Sequence, residues 1–185
     1  MASMFDDIGE ILFTEEEIAE IVRNMGQQIS EDYKGKNLFM VSVLKGSLPF
    51  MADLMRQISI PCSIDFLSVS SYGSGTVTSG EVRILKDLDT SLEGKDLLVV
   101  EDILDSGVTL SFLLKTLSAR NPASIRLCTF LDKPERRRVD IHADYVGASV
   151  TDKFIVGYGL DYAEKYRNVP YIGVLKPEIY MTEEA

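Results

Sequence analysis

Leu97-Leu98-Val99-Val100-Glu101-Asp102-Ile103-Leu104-Asp105-Ser106-Gly107-Val108-Thr109 carries the pattern that decides the fold of this chain. Leu97 to Val100 is a continuous apolar run, suited to a central strand covered on both faces. Glu101 and Asp102 stand at its end, Asp105 follows, and Ser106, Gly107 and Thr109 lead into a helix. From about Thr109 to Ala119 that helix carries Leu110, Leu113, Leu114 and Leu117 on one side. Asn121-Pro122 ends it, and Ile125 to Leu131 gives the next strand. The unit is strand–helix–strand with a right-handed crossover, and it makes the chain an α/β protein.

Working outward, Thr14 and Glu17 form a capping box ahead of Ile18, Ile21, Val22, Met25 and Ile29, which predicts an amphipathic helix. Leu38–Leu44 reads as a buried strand broken by Lys45-Gly46-Ser47. A second helix follows through Phe50, Leu54 and Met55, with Pro49 tolerable in its first turn. Ser63–Ser70 alternates apolar and polar residues, with Ile64 and Phe66 on the apolar side, and Glu81–Leu88 alternates less regularly. The small, flexible stretch between them predicts a long loop joining two antiparallel strands. Beyond Arg136-Arg137-Arg138, read as a solvated basic patch, short strands are expected at Ala143–Val150, Phe154–Val156 and Tyr171–Leu175. No repeat or linker interrupts the 185 residues, which fit one domain.

With 45% hydrophobic and 26% charged residues the composition is that of a globular protein. A net charge of −10 disfavours nucleic acid or an anionic membrane as partner, since both need a basic face. Two widely separated cysteines, Cys62 and Cys128, give neither a disulfide framework nor a CxxC metal motif. No apolar run approaches the ~20 residues of a membrane span, and no leader pattern is visible, so a cytoplasmic location is expected.

Glu101, Asp102 and Asp105 after a buried strand are electrostatically costly for structure alone. Ligands of open α/β sheets bind at the carboxyl ends of strands. A loop of small residues at a helix start offers free backbone amides and hydroxyls to a phosphate. The carboxylates would repel that phosphate unless they serve a sugar diol, whose hydroxyls they can accept. The residues therefore imply a ribose 5-phosphate pocket. Neither GxxxxGK[ST] nor a suitably placed GxGxxG is present, which argues against a P-loop and against dinucleotide binding.

Val99–Thr109 closely resembles the phosphoribosyl-diphosphate motif of type I phosphoribosyltransferases. Leu44-Lys45-Gly46, Ser71-Tyr72-Gly73, Leu131-Asp132-Lys133 and Asp152–Tyr162, with Arg167 beyond, resemble the hypoxanthine–guanine branch of that family in the same order. The resemblance implies the type I fold: a central, mostly parallel sheet flanked by helices, a small hood from the N-terminal segment and residues 153–185, and a mobile antiparallel flap near 71–80. It implies transfer of a phosphoribosyl group from phosphoribosyl diphosphate to hypoxanthine or guanine, giving IMP or GMP and pyrophosphate, in a homodimer or homotetramer.

On that resemblance, Glu101 and Asp102 hold the ribose hydroxyls, and Asp105 is the general acid/base at purine N7. Asp105, Ser106, Gly107, Val108 and Thr109 cradle the 5-phosphate; Val108 stands where a lysine is often found. Lys45, Gly46 and Arg167 meet pyrophosphate, the first two through a loop that in this family contains a cis peptide. Lys133 donates to the purine 6-oxo group, Phe154 stacks on the base, and Ile155 presents backbone groups to its edge. Asp161 completes the purine site and, with Glu101 and Asp102, holds Mg2+. Ser71 and Tyr72 begin the closing loop. His142 has no role in this scheme. Xanthine as an additional base stays open, and a non-enzymatic sensor of phosphoribosyl diphosphate is disfavoured by the acidic charge.

Overall fold

The computed structural model describes residues 3–71 and 82–181. Thr14 accepts a hydrogen bond from the Glu17 amide while the Glu17 carboxylate accepts from the Thr14 amide, which starts α1 (Glu15–Asp32) at the expected place. Strands β2 (Leu38–Leu44), β5 (Asp96–Leu104) and β6 (Ser124–Asp132) are parallel neighbours at the centre of a six-stranded sheet. β3 (Ser63–Ser71) and β4 (Val82–Lys86) extend it on one side and β7 (Tyr145–Ser149) on the other, in the order β4-β3-β2-β5-β6-β7. Only β4 runs antiparallel.

Side chains alternate across a strand, and the central strands use both faces. Leu98, Val100, Cys128 and Phe130 pack under α1 and α2 (Leu48–Gln57), while Leu97, Val99 and Leu127 pack under α3 (Val108–Ser118). This double cover explains why the sequence of β5 lacks alternation. Cys62 and Cys128 are both free thiols. No helix among the described residues is long and apolar enough to cross a membrane.

A second, three-stranded antiparallel sheet orders β1 (Ile8–Phe13), β9 (Ile172–Leu175) and β8 (Ile155–Val156) as the hood. The polar Gly9 and Glu10 leave β1 without a long apolar run, and it escapes a reading by periodicity. It finds its place by pairing Ile8 with Leu175 and Phe13 with Ile172. The short helix α4 (Pro177–Tyr180) follows β9.

Two expectations need correction. β5 runs on to Leu104, so Glu101 and Asp102 lie within the strand rather than after it. β3 belongs to the main sheet beside β2, and it buries Asp65 and Leu67 while Ile64 is 40% exposed. Asp65 is tolerated there because its carboxylate accepts from the Phe66 and Asp89 amides and from Lys86 Nζ at 3.4 Å. Those bonds hold its pKa below the usual carboxylate value against the opposing effect of burial. Phe66 faces the α1/α2 side of the core as expected, while Asp65 and Leu67 are buried on the opposite face of the strand. The loop expected near 71–80 lies outside the described residues except for Ser71, whose backbone pairs with Val82.

Phe130 joins the layers. Its ring lies 5.3 Å from Phe50 on α2, 5.2 Å from Tyr158 and 6.5 Å from Phe13 of β1. Phe130→Ala is expected to cost ~3–5 kcal/mol of stability, read from the denaturant midpoint at unchanged slope. A loss below ~1 kcal/mol would show that the hood and α2 do not depend on this ring.

Candidate active site

The carboxyl ends of β2, β5 and β6 deliver three loops to one place, as expected for ligand binding by a parallel sheet. After β2 the Leu44–Lys45 peptide is cis. Gly46 is hemmed in: a Cβ there would sit 1.9 Å from Asp102 Oδ2, and a Cβ on Gly159 (φ 99°) would sit 1.9 Å from the Gly46 carbonyl oxygen. Glycine is therefore required where the strand loop, the β5 carboxylate and the hood converge.

Two cavities meet there. One, of ≈ 250 Å³, is lined by Leu44, Glu101, Asp105, Ser106, Gly107 and Thr109 among others. The other, of ≈ 380 Å³, is lined by Asp105, Lys133, Arg136, Asp152, Phe154 and Tyr180, with Lys153, Ile155, Leu160 and Asp161. Both cavities include Ile103 and Asp105. The first sits over the start of α3, where Gly107 takes φ 78° as the helix N-cap. The loop and the helix start together offer donors to an anion.

Glu101 and Asp102 are unbalanced charges. Burial and the neighbouring Asp102 hold the Glu101 carboxyl well above its ordinary pKa, and Glu101 Oε2 is buried without a hydrogen-bond partner. Burial pushes Asp102 up to about 6, although the Ile103 amide donates to it at 2.8 Å and Arg167 adds favourable charge. An orphaned carboxylate oxygen beside a second carboxylate suits a divalent cation or a sugar hydroxyl. No three His, Cys, Asp or Glu side chains gather as a ready metal cage among the described residues. Asp161, the third proposed metal ligand, instead pairs with Arg167 Nη2 at 2.9 Å and accepts from the Glu164 amide.

The cations Lys45 and Arg167 are likewise engaged. Lys45 Nζ lies 2.9 Å from Glu164, and Arg167 donates to the Gly159 carbonyl at 2.8 Å. The Lys133 side chain is buried; its ammonium donates to the Lys153 carbonyl at 2.6 Å and lies 3.9 Å from Asp152. Burial lowers its pKa. Phe154 stacks on Tyr180 with centroids 4.6 Å apart and meets Tyr162 edge-on at 5.5 Å. Ile155 is buried beside it as the first residue of β8.

Sequence reasoning missed Asp152, Leu160 and Tyr180 as lining residues, and it misread Arg137. Arg136 and Arg138 are exposed as expected, and Arg136 is also paired: its Nε lies 3.1 Å from Asp105 Oδ1 and its Nη1 donates to Asp152 at 3.2 Å. Arg137 is largely covered and bonds inward. Three consecutive arginines in an acidic chain, three positions after Lys133, were the available signal. His142, by contrast, is exposed, 3.3 Å from Asp140 and away from both cavities.

The carboxylate pair has a consequence for stability. Both folded-state pKa values exceed those of the free side chains, so between them the folded chain binds more protons than the unfolded one. Stability therefore falls as pH rises through this window, and for Asp102 the loss is complete above about 6. In metal-free protein at pH 7.5, Glu101→Gln should raise Tm by roughly 2–4 °C, ~1 kcal/mol, and flatten the pH profile. An unchanged or lowered Tm would contradict the reading of Glu101 as an uncompensated charge.

Known proteins resemble this chain over nearly its whole length. A family model described as the phosphoribosyl transferase domain matches residues 9–163. The chain is 54% identical over 178 residues to the bifunctional protein TilS/HprT of Listeria monocytogenes serotype 4b (strain F2365), covering 96% of this chain but only 28% of that longer protein. It is 54% identical over 177 residues to the hypoxanthine-guanine phosphoribosyltransferase of Bacillus subtilis (strain 168), covering 96% and 98% of the two chains. A crystal structure of a hypoxanthine phosphoribosyltransferase from Staphylococcus aureus superposes with a TM-score of 0.94 at 52% identity, covering 97% and 98%. The carboxylate pair, the small-residue loop and the two joined cavities thus sit on a chain that belongs to the phosphoribosyl transferase family.

Proposed function

We propose that this chain transfers the 5-phosphoribosyl group of phosphoribosyl diphosphate to N9 of hypoxanthine and guanine, releasing pyrophosphate and forming IMP or GMP. The observation that carries the reading is the position of Asp105, on the wall shared by the two cavities. A ribose 5-phosphate in the smaller cavity and a base in the larger would meet beside that carboxylate.

In this reading Asp105, Ser106, Gly107, Val108 and Thr109 receive the 5-phosphate, through backbone amides and the hydroxyls of Ser106 and Thr109. Glu101 and Asp102 accept from the ribose hydroxyls. The C1–N9 bond forms as the bond from C1 to the diphosphate oxygen breaks. Asp105 takes the N7 proton and stabilises positive charge at the sugar carbon. Lys45, Gly46 and Arg167 receive the pyrophosphate; Glu164 and Asp161 hold the two cations until it binds.

Lys133 donates to the purine 6-oxo group, exchanging the Lys153 carbonyl for it. An amino group in that place would set donor against donor, so adenine is selected against. Phe154 supplies the stacking face, Ile155 offers backbone groups to the base edge, and Asp161 closes that wall of the cavity.

The donor set fits Mg2+, which is commonly bound through one or two carboxylates together with substrate oxygens. Glu101, Asp102 and Asp161 are the residues that would hold it. When bound, it screens the diphosphate charge and makes pyrophosphate a better leaving group.

Residues 1–185 act as one phosphoribosyltransferase domain in this reading, because core loops and hood line the same cavity. Its substrates place it in the cytoplasm, with neither nucleic acid nor membrane as partner. Association as a homodimer or homotetramer is part of this reading.

Steady-state assays with Mg2+ and phosphoribosyl diphosphate should give turnover with hypoxanthine and guanine, and at least ~100-fold lower kcat/KM with adenine. Xanthine in the same series decides whether a 2-oxo group is accepted. Failure with every 6-oxopurine would refute the reading. Asp105→Asn should lower kcat by ~100-fold or more while phosphoribosyl diphosphate still binds; near-normal turnover would remove Asp105 from the proton-transfer role.

A further inference from the structure

The guanidinium of Arg137 lies under the loop that the proposed reaction uses for the 5-phosphate. Its Nη1 donates to the Leu104 carbonyl at 2.9 Å and to the Asp105 carbonyl, and its Nη2 donates to the Asp132 carboxylate. The side chain is only 16% exposed. Its aliphatic stem passes below Gly107, where a Cβ would come within 3.2 Å of Arg137 Cδ. Backbone bonds flank it on both sides: the Lys133 amide donates to the Leu104 carbonyl, and the Arg138 amide to the Ser106 carbonyl, each at 3.0 Å.

The two carbonyls gripped by Arg137 have a directional consequence. In a trans peptide the C=O and the following N–H point opposite ways. Fixing the Leu104 and Asp105 carbonyls toward Arg137 therefore turns the Asp105 and Ser106 amides to the other side of the loop. Both residues line the smaller cavity. An always-charged, planar fork is suited to this task; an ammonium cannot span two carbonyls and a carboxylate in one plane.

We propose that Arg137 is a positioning residue that pre-forms the phosphate-binding loop and locks it to the end of β6. The inference rests on the transferase reading above for the identity of the anion. It assigns Arg137 no contact with substrate. It sets the orientation of the loop amides and, through the backbone, the place of Asp105. Lys133 has its own anchor on the Lys153 carbonyl, so base binding is expected to depend on Arg137 much less than sugar-phosphate binding does.

Arg137→Lys and Arg137→Met test this, with thermal unfolding to confirm folding and calorimetry of phosphoribosyl diphosphate binding in the presence of Mg2+. Arg137→Lys should stay folded, raise KM and Kd for phosphoribosyl diphosphate at least ~10-fold, and lower kcat ~10- to 100-fold, since a shift of about 1 Å at a reacting group costs that much. KM for hypoxanthine should stay within about threefold. Folded variants with parental binding and turnover would overturn the proposal. So would equal losses toward both substrates, or failure of both variants to fold, because each makes Arg137 a general packing residue. If the parent binds phosphoribosyl diphosphate but transfers it to no purine, the transferase reading fails while the binding comparison still decides the role of Arg137. A parent that does not bind phosphoribosyl diphosphate overturns both.

Discussion

The parallel register of β5 on β6 is the constraint on which the rest of this molecule depends. It pairs Glu101 with Thr129, Ile103 with Leu131 and Leu104 with Asp132, and the Lys133 amide completes it by donating to the Leu104 carbonyl. A slip of one residue would turn every side chain of β5 to the opposite face. In the observed register the acidic loop after β5 and the Lys133 segment after β6 emerge side by side, and the two cavities share a wall at Asp105. Apolar packing on both faces of the sheet holds that register, with Leu98 and Val100 on one side and Leu97 and Val99 on the other.

Around this frame the site stores charges that the fold does not need. Glu101 and Asp102 are raised in pKa by burial, and one oxygen of Glu101 lacks any partner. Lys45 and Arg167 are neutralised by Glu164 and Asp161, and Arg136 by Asp105 and Asp152. The exposed pairs among these contribute little to stability. Such an arrangement is suited to a diol, a divalent cation and a polyanion, each of which replaces an internal partner. Two of these four pairs, Lys45–Glu164 and Arg167–Asp161, use residues of the segment between β8 and β9.

How much of this was legible in the sequence follows from where the specifying interactions lie. β2, β5, α3 and β6 are recorded in local apolar pattern, and the capping box fixes the start of α1, so these elements could be read directly. The ribose-phosphate half of the site is contiguous in residues 101–109, and its chemistry could be argued from residue types alone. The proposed purine half is assembled from Lys133, Phe154, Ile155, Asp161 and Tyr180, which approach one another only through the fold; there a family resemblance supplied the first four of these landmarks and was silent on Tyr180. β1 was missed because its pairing with β9 is wholly non-local. The burial of Asp65 on the other face of β3 was missed because it rests on bonds from Phe66, Lys86 and Asp89 that no periodicity records. Arg137 looked like a solvent charge because its acceptors, two loop carbonyls and the Asp132 carboxylate, are brought to it only by folding.

The central claim is that one carboxylate, Asp105, stands between a sugar-phosphate site and a base site. A crystal structure of the chain with IMP tests it most directly. The account predicts the phosphate on the amides of residues 106–109, the hypoxanthine ring on Phe154, its 6-oxo group on Lys133 Nζ and N7 facing Asp105. A nucleotide bound with its base outside the Lys133 cavity, or with its phosphate away from the β5–α3 loop, would contradict the account.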